Sequence, residues 1–234
     1  MISKLNNEKS LVLVSGGQDS ATCLFWALKK FKTVEAISFY YAQKHSKEID
    51  VAESLCNQLK INHKKVDISF LKDLVISNLF DGKNDINKSH VLNKKVPSSF
   101  VPYRNMIFLT LAAAWASTID TKHIVIGVCE TDYSGYADCR DVFIKSLQVS
   151  LNLATDFKEK NVIIHTPLMW LSKAEEFKLA EDLGCIDLII SKTLTCYNGI
   201  EKMNDYGKGC GKCPACKLRK KGYKEYLTSF SHKP

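Results

Sequence analysis

Seven consecutive residues carry the clearest chemistry in this chain: Val14-Ser15-Gly16-Gly17-Gln18-Asp19-Ser20, set between an apolar run and a helical pattern. Paired glycines let the backbone turn tightly and approach a ligand closely. The helix start that follows offers unpaired N–H groups and the positive end of its dipole to an anion. Ser15 and Ser20 add hydroxyl donors. Asp19 is out of place beside a phosphate unless a metal ion bridges the two, so it predicts Mg²⁺. A plain strand–helix turn with a serine cap accounts for a Gly-Gly pair but not for the whole Ser-Gly-Gly-x-Asp-Ser string. No Gly-Lys-Ser/Thr occurs in the chain, which excludes a Walker A loop.

A second concentration lies near the C-terminus. Of nine cysteines, Cys23, Cys56, Cys129, Cys139 and Cys185 are scattered, whereas Cys196, Cys210, Cys213 and Cys216 crowd together. The odd count and the expected cytosolic location argue against a disulfide framework. Cys210-Gly-Lys-Cys213-Pro-Ala-Cys216 puts three thiols on one tight turn, with Gly211 relieving the bend. Tetrahedral zinc needs a fourth ligand, and Cys196 is the first candidate, His232 the second. Zinc is favoured, but four cysteines can also serve an iron–sulfur cluster, and a three-cysteine cluster would suit a tRNA thiolase, so that rival stays open. Lys202, Lys208, Lys212, Lys217, Arg219, Lys220 and Lys221 surround these thiols. They make either an RNA-binding patch or a simple offset to the negative charge of a zinc–tetrathiolate; the second is the simpler reading.

The seven-residue string resembles the PP-loop of the adenine-nucleotide alpha-hydrolase-like ATPases. That resemblance implies a grip on the pyrophosphate side of ATP by residues 14–24: Val14, Ser15, Gly16, Gly17, Gln18, Asp19, Ser20, Ala21, Thr22, Cys23 and Leu24. Further segments narrow the family. They are Tyr41-Ala42-Gln43-Lys44-His45, Val101-Pro102-Tyr103-Arg104-Asn105, Asp132 through Arg140, Thr166-Pro167-Leu168, Leu171 through Glu175 and Thr195 through Gly199. Together with the cysteines they closely resemble the 7-cyano-7-deazaguanine synthase (QueC) family over nearly the whole chain. The resemblance implies ATP-dependent conversion of 7-carboxy-7-deazaguanine and ammonia to the nitrile, on the route to queuosine. It implies one structural zinc on Cys196, Cys210, Cys213 and Cys216, and a homodimer. The chain departs from the family in three places. Thirteen residues separate Cys196 from Cys210, Leu194-Thr195 precede Cys196 where Trp-Ser is usual, and Lys44 stands before His45 where Arg is usual. A PP-loop tRNA-modifying enzyme, of the thiolase or lysidine synthetase type, is the alternative.

The residue types suit that chemistry. A carboxylate is a poor electrophile toward ammonia. Adenylation supplies a leaving group and gives an amide, whose oxygen can be activated again and lost. Both steps need phosphate charge neutralised in a dry site. Arg104, Arg140 and Lys173 are the candidate cations, with Asp19 beside them. Lys173 stands out because a cation in the first turn of a helix opposes the dipole, although Glu175 and Glu176 could compensate it. A deazaguanine offers a flat face and an N–H edge. Asp132 or Asp138 could accept from that edge, and Tyr133 or Tyr136 could stack on the ring. These four also suit an ordinary polar turn around Gly135. His45 is a candidate proton shuttle, though a lone histidine is more often structural. With no glutaminase-like region in 234 residues, free ammonia is the expected nitrogen source.

These groups need a scaffold. Leu11–Ser15 reads as a buried parallel strand, followed by helical spacing of Leu24, Ala27, Leu28 and Phe31. Val34–Tyr40 reads as a strand, Gln43–Lys60 as a helix and Lys64–Ile68 as a third strand. Residues 71–100 read as a helical piece followed by a mobile loop around DGKNDINKSH. Tyr103–Thr118 is an apolar helix, His123–Val128 a strand, Asp141–Phe157 a helix and Val162–His165 a strand. Ser172-x-x-Glu175 is a capping box opening a helix to about Leu183, and Asp187–Ile190 reads as one more short strand. Alternation of this kind predicts an α/β, Rossmann-like doubly wound parallel sheet. Its strand-end loops would share one rim with the phosphate loop. The predicted division is residues 1–190 as the ATP-binding body and 191–234 as a cysteine-rich zinc-binding segment with a C-terminal helix.

Composition agrees with this frame and adds little to it. At 45% hydrophobic and 25% charged, the chain is neither disordered nor fibrous. Its longest apolar run, Ile107–Ala116, is too short to span a bilayer. The LVLV run after the polar N-terminus is too short for a signal-peptide core, and a cytoplasmic location is expected. The net charge of +8 favours anionic partners without choosing among them. No stable nucleic-acid partner is expected, since 234 residues leave no room for a separate RNA-binding domain.

Overall fold

A computed structural model of the chain describes residues 5–42, 47–81, 90, 98–131, 136–156 and 161–230. The elements run β1 (Leu5–Leu13), α1 (Gln18–Lys30), β2 (Phe31–Tyr40), α2 (Lys47–Gln58), β3 (Asn62–Asp67), α3 (Leu71–Leu74) and α4 (Asn78–Asp81). They continue with α5 (Arg104–Thr118), β4 (His123–Val125), a 3₁₀ turn (Ala137–Cys139), α6 (Asp141–Leu153), β5 (Ile163–His165), α7 (Lys173–Asp182) and α8 (Ile186–Lys192). A small hairpin, β6 (Met203–Asn204) and β7 (Gly207–Lys208), precedes the last helix, α9 (Pro214–Ser229).

Five strands form one parallel sheet in the order β3-β2-β1-β4-β5. Period-two alternation sorts the side chains of β1 and its extension onto two faces. Val12 and Val14 join Ala21, Leu24, Ala52, Leu55, Phe177 and Tyr226 beneath α1, α2, α7 and α9. Leu11 and Leu13 join Ile37, Leu109 and Ile144 beneath α5 and α6. Both faces are thus covered, as a parallel sheet requires. The chain order reverses at β1, since β2 lies on one side of it and β4 on the other. Such a reversal opens a crevice beyond the strand carboxyl ends. Among the described residues no helix is long and apolar enough to cross a membrane.

Two local expectations are corrected. Asp187–Ile190 is not a strand but the middle of α8. Ile186, Ile189 and Ile190 fall at helical spacing, and the first and last lean on the core around buried Ile189. Phe31 is not the last residue of the first helix but the first of β2. Most of the loop predicted after residue 81, and residues 43–46 of the predicted Gln43–Lys60 helix, lie outside the described residues.

Candidate active site

The phosphate loop leaves β1 and enters α1 under the first turn of α2. Gly16 has φ +88°, and a Cβ there would sit 2.1 Å from the Glu48 carbonyl oxygen, so a larger residue would push α2 off the loop. Ser15 and Ser20 hold the loop closed. The Ser15 N–H donates to Ser20 Oγ at 3.0 Å, and Ser20 Oγ donates to the Gly17 carbonyl at 3.2 Å. Gly17 caps α1 without a side chain of its own. Gln18 N–H donates instead to Thr195 Oγ1 at 3.2 Å, and Leu194 N–H donates to the Gly16 carbonyl at 3.0 Å. The segment leading into the cysteines is therefore stitched onto the loop.

Lys173 enters from the start of α7, whose capping box is complete: Ser172 Oγ accepts from Glu175 N–H while Glu175 accepts from Ser172 N–H. Gly222 of α9 permits a close crossing, since a Cβ there would meet Lys173 Cβ at 2.3 Å. The Lys173 ammonium donates to Asp19 Oδ1 at 2.7 Å and to both Glu176 oxygens at 3.0 and 2.8 Å. Glu176 is completely buried. The ammonium is thus held by two carboxylates rather than standing free for a phosphate. One cation against two anions leaves negative charge at Asp19, the outer member, which suits a divalent cation.

The opposite wall is aromatic. Tyr103, with φ 60°, takes a left-handed turn that non-glycine residues rarely adopt, and Arg104 follows as the first residue of α5. The Arg104 guanidinium lies 5.9 Å from the Tyr136 ring centroid. Tyr136 stacks on Phe100 and shares a 2.8 Å hydrogen bond with Ser99 Oγ. Tyr41, Phe108, Tyr197 and Glu48 complete this side of a cavity of about 320 Å³. Burial pushes the Glu48 carboxyl up to about 7, with Arg104 pulling the other way. Burial likewise drives the Tyr197 hydroxyl well up.

Not every expected residue reaches this cavity. Asp138 is buried, and its Oδ2 accepts from Asn105 N–H at 3.0 Å, so it tethers the first turn of α5 and does not line the cleft. Arg140 caps α6 and is likewise absent from the lining. Asp132, Tyr133, His45 and His232 lie outside the described residues. Of the loop residues, Val14, Ser15, Gly17, Gln18, Asp19 and Ser20 face the cavity. Ala21, Thr22, Cys23 and Leu24 are buried in α1 behind it. Sequence reasoning missed Glu48, whose signal was a carboxylate in the first helical turn beyond β2. It also treated Arg219 as one surface cation among seven. Arg219 is almost fully buried and lines the cavity, donating to the Ile189 carbonyl at 2.8 Å and to Thr195 Oγ1 at 3.2 Å. Burial lowers it to about 10.

Cys196, Cys210, Cys213 and Cys216 bring their four sulfurs within 4.8 Å of one another, close enough for one metal ion. The longer Cys196–Cys210 interval is taken up by the β6–β7 hairpin, which returns the chain to the site. The N–H groups of Lys212 and Cys213 donate to Cys210 Sγ at 3.4 and 3.3 Å, and Asn198 Nδ2 adds a third donor at 3.6 Å. Such donors favour the thiolate that a metal requires.

At 51% identity over 223 residues the chain is similar to the 7-cyano-7-deazaguanine synthase of Bacillus subtilis (strain 168), with 95% of this chain and 97% of that protein covered. The namesake from Staphylococcus aureus (strain bovine RF122 / ET3-1) is 51% identical over 229 residues, covering 98% of both chains. Among solved structures, a 4-thiouridine synthetase–RNA complex with bound ATP aligns at a TM-score of 0.50 and 17% identity, over 95% of this chain and 54% of that one. That likeness concerns the fold. Residues 9–227 match the family model described as queuosine biosynthesis protein QueC, and the chain belongs to that family.

Proposed function

We propose that the protein is an ATP-dependent 7-cyano-7-deazaguanine synthase, joining the nitrogen of free ammonia to 7-carboxy-7-deazaguanine. The observation that carries this reading is the junction of a PP-loop with an aromatic, half-buried cavity lined by Arg104, Arg219, Asp19 and Glu48. A triphosphate and a flat, edge-donating heterocycle are the two ligands such walls suit. The substrate carboxylate attacks the α-phosphorus of ATP and pyrophosphate leaves. Ammonia then displaces AMP from the acyl adenylate, losing one proton, and gives the amide. The amide oxygen then attacks the α-phosphorus of a second ATP and pyrophosphate leaves; the C–O bond breaks, the oxygen departs in AMP, and loss of the two remaining N–H protons leaves the nitrile.

The loop backbone and the Ser15 and Ser20 hydroxyls bind the phosphates. Asp19, oriented by Lys173, would hold Mg²⁺, which would supply charge neutralisation during phosphate release. Arg104 faces the reacting carboxylate, Tyr136 stacks on the ring, and Arg219 orients Thr195 under the loop. Asp132 and Tyr133 keep their expected substrate-binding role in this proposal, whereas Asp138 tethers Asn105 and Arg140 precedes α6 away from the cavity lining. Zinc on the four cysteines is structural in this reading, residues 191–234 being its segment and residues 1–190 the ATP-binding body. A cytoplasmic homodimer is part of the same proposal.

The test is incubation with ATP, Mg²⁺, ¹⁵N-ammonia and 7-carboxy-7-deazaguanine, followed by mass spectrometry. The expected product is the nitrile carrying one ¹⁵N. A folded protein that makes neither amide nor nitrile would sink the proposal. Sub-micromolar tRNA binding that weakens about 10³-fold between 50 and 200 mM salt would point to an RNA substrate instead.

A further inference from the structure

Among the described residues, two carboxylates face the cavity: Asp19 and Glu48. Asp19 is tied to Lys173 on the phosphate side. Glu48 stands across the cavity with Tyr41, Arg104, Tyr136 and Tyr197. No hydrogen bond or ion pair of its carboxylate lies among the described residues, and Arg104 acts on it by charge alone. Of the two carboxylates expected to read a base edge, Asp132 lies outside the described residues and Asp138 accepts from Asn105 N–H. A carboxylate held half-buried among aromatic rings is costly unless something completes it. The position is itself fixed, because the Glu48 backbone rests directly on Gly16.

The substrate of the proposed function carries the matching group. The pyrimidine edge of a deazaguanine presents a ring N–H beside an exocyclic amino group, two donors pointing the same way. An ionised carboxylate is acceptor-only, with two oxygens, and can take both at once. Ring faces on Tyr136 and Tyr197 provide stacking surfaces on the same side of the cavity, and Arg104 provides donors for the carboxylate at the other end of the ring. We propose that Glu48 reads the paired N–H edge of the deazaguanine and makes the enzyme require a 2-amino base. The assignment rests on the proposed function and adds to it the residue that sets specificity.

Two substrates and two variants test it. The substrates are 7-carboxy-7-deazaguanine and its analogue with hydrogen in place of the 2-amino group. Wild-type protein should lose about 10²-fold in kcat/KM on the analogue, because a buried charged acceptor loses a donor. Glu48→Gln should raise KM for the natural substrate about 30-fold or more, leave KM for ATP within about threefold, and shrink the discrimination to about tenfold or less. Glu48→Asp keeps the charge and should keep more discrimination than Glu48→Gln. Melting temperature and metal content report folding. A Glu48→Gln protein that discriminates like wild type overturns the assignment. So does one that raises KM for ATP alone, which would place Glu48 on the nucleotide. Equal use of both compounds by wild type also overturns it, and does so even if the Gln variant fails to fold. Failure of wild type on both compounds would instead refute the proposed reaction.

Discussion

The two sides of the central sheet's polar chemistry are built on opposite principles. Toward the amino ends of β1 and β4, Glu8 bonds His123, His123 Nδ1 bonds His165 Nε2 at 2.9 Å, and Lys122 reaches Glu8 at 3.0 Å. Phe31 and Trp26 pack against the two imidazoles. That cluster is closed, since its members satisfy one another. At the carboxyl end of the sheet, Asp19 and Glu48 leave negative charge facing a cavity. A closed polar cluster secures strand register, whereas an open one carries an unmet demand that a ligand answers. The same contrast sets opposite pH dependences. Glu48 is raised to about 7 by burial, so the unfolded chain ionises first and this site loses stability as pH climbs from about 4.5 to about 7. His165 is lowered to about 4, chiefly by burial and by His123, so its stability is full above about 6.5 and is lost as pH falls toward 4.

The largest break in this contrast should come at Asp19. Asp19→Asn should cut ATP cleavage by about 10³-fold or more, because it removes the proposed cation ligand and half of the Lys173 clamp. His165→Gln should leave the rate near wild type. Pyrophosphate release on folded proteins measures both, and near-normal turnover in the Asn variant would remove the phosphate role of the loop. Next in size, Cys213→Ser should cost several kcal/mol in chemical denaturation and lower metal content, since metal affinity here is folding free energy. Cys56→Ala should keep full metal content, and metal analysis with a denaturation midpoint reads the pair. Smaller again is the pH signature. Glu48→Gln should stabilise the fold by about 1–2 kcal/mol at pH 8 and little at pH 5. His165→Gln should flatten the loss of stability between pH 6.5 and 4. Parallel melting curves in one buffer series would contradict the assignment of the two clusters. The smallest effect belongs to the approach to Arg104. Tyr103→Gly relieves a left-handed backbone and should raise stability by about 0.5–1 kcal/mol in thermal unfolding.

What could be read from the residues alone was whatever depends on local pattern. The apolar run Leu11–Ser15, the Gly-Gly turn and the Ser172–Glu175 cap state their own structure, and β1, α1 and α7 follow. Asp187–Ile190 deceived because the three-residue apolar run Leu188–Ile190 fits a strand or a buried helix equally, and its length could not arbitrate. Glu48 and Arg219 were illegible for another reason. Each is an ordinary charged residue on an amphipathic helix until tertiary packing turns it inward. Asp138 shows the reverse case: its motif-like neighbourhood gave no sign of the hydrogen bond it accepts from Asn105 N–H. The β6–β7 hairpin had a faint signal in Asn204-Asp205-Tyr206-Gly207, which reads as a turn only once the cysteines on either side are known to meet.

The stitch between Gln18 and Thr195 joins residues 177 positions apart. A ribosome adds about 5–20 residues per second, so the loop emerges roughly 10–35 s before the hydroxyl that completes it. Through that interval the nascent chain carries a phosphate loop whose first N–H is unpaired and whose Gly16 carbonyl waits for Leu194. Products of premature termination before residue 194 therefore lack both of these hydrogen bonds to the loop.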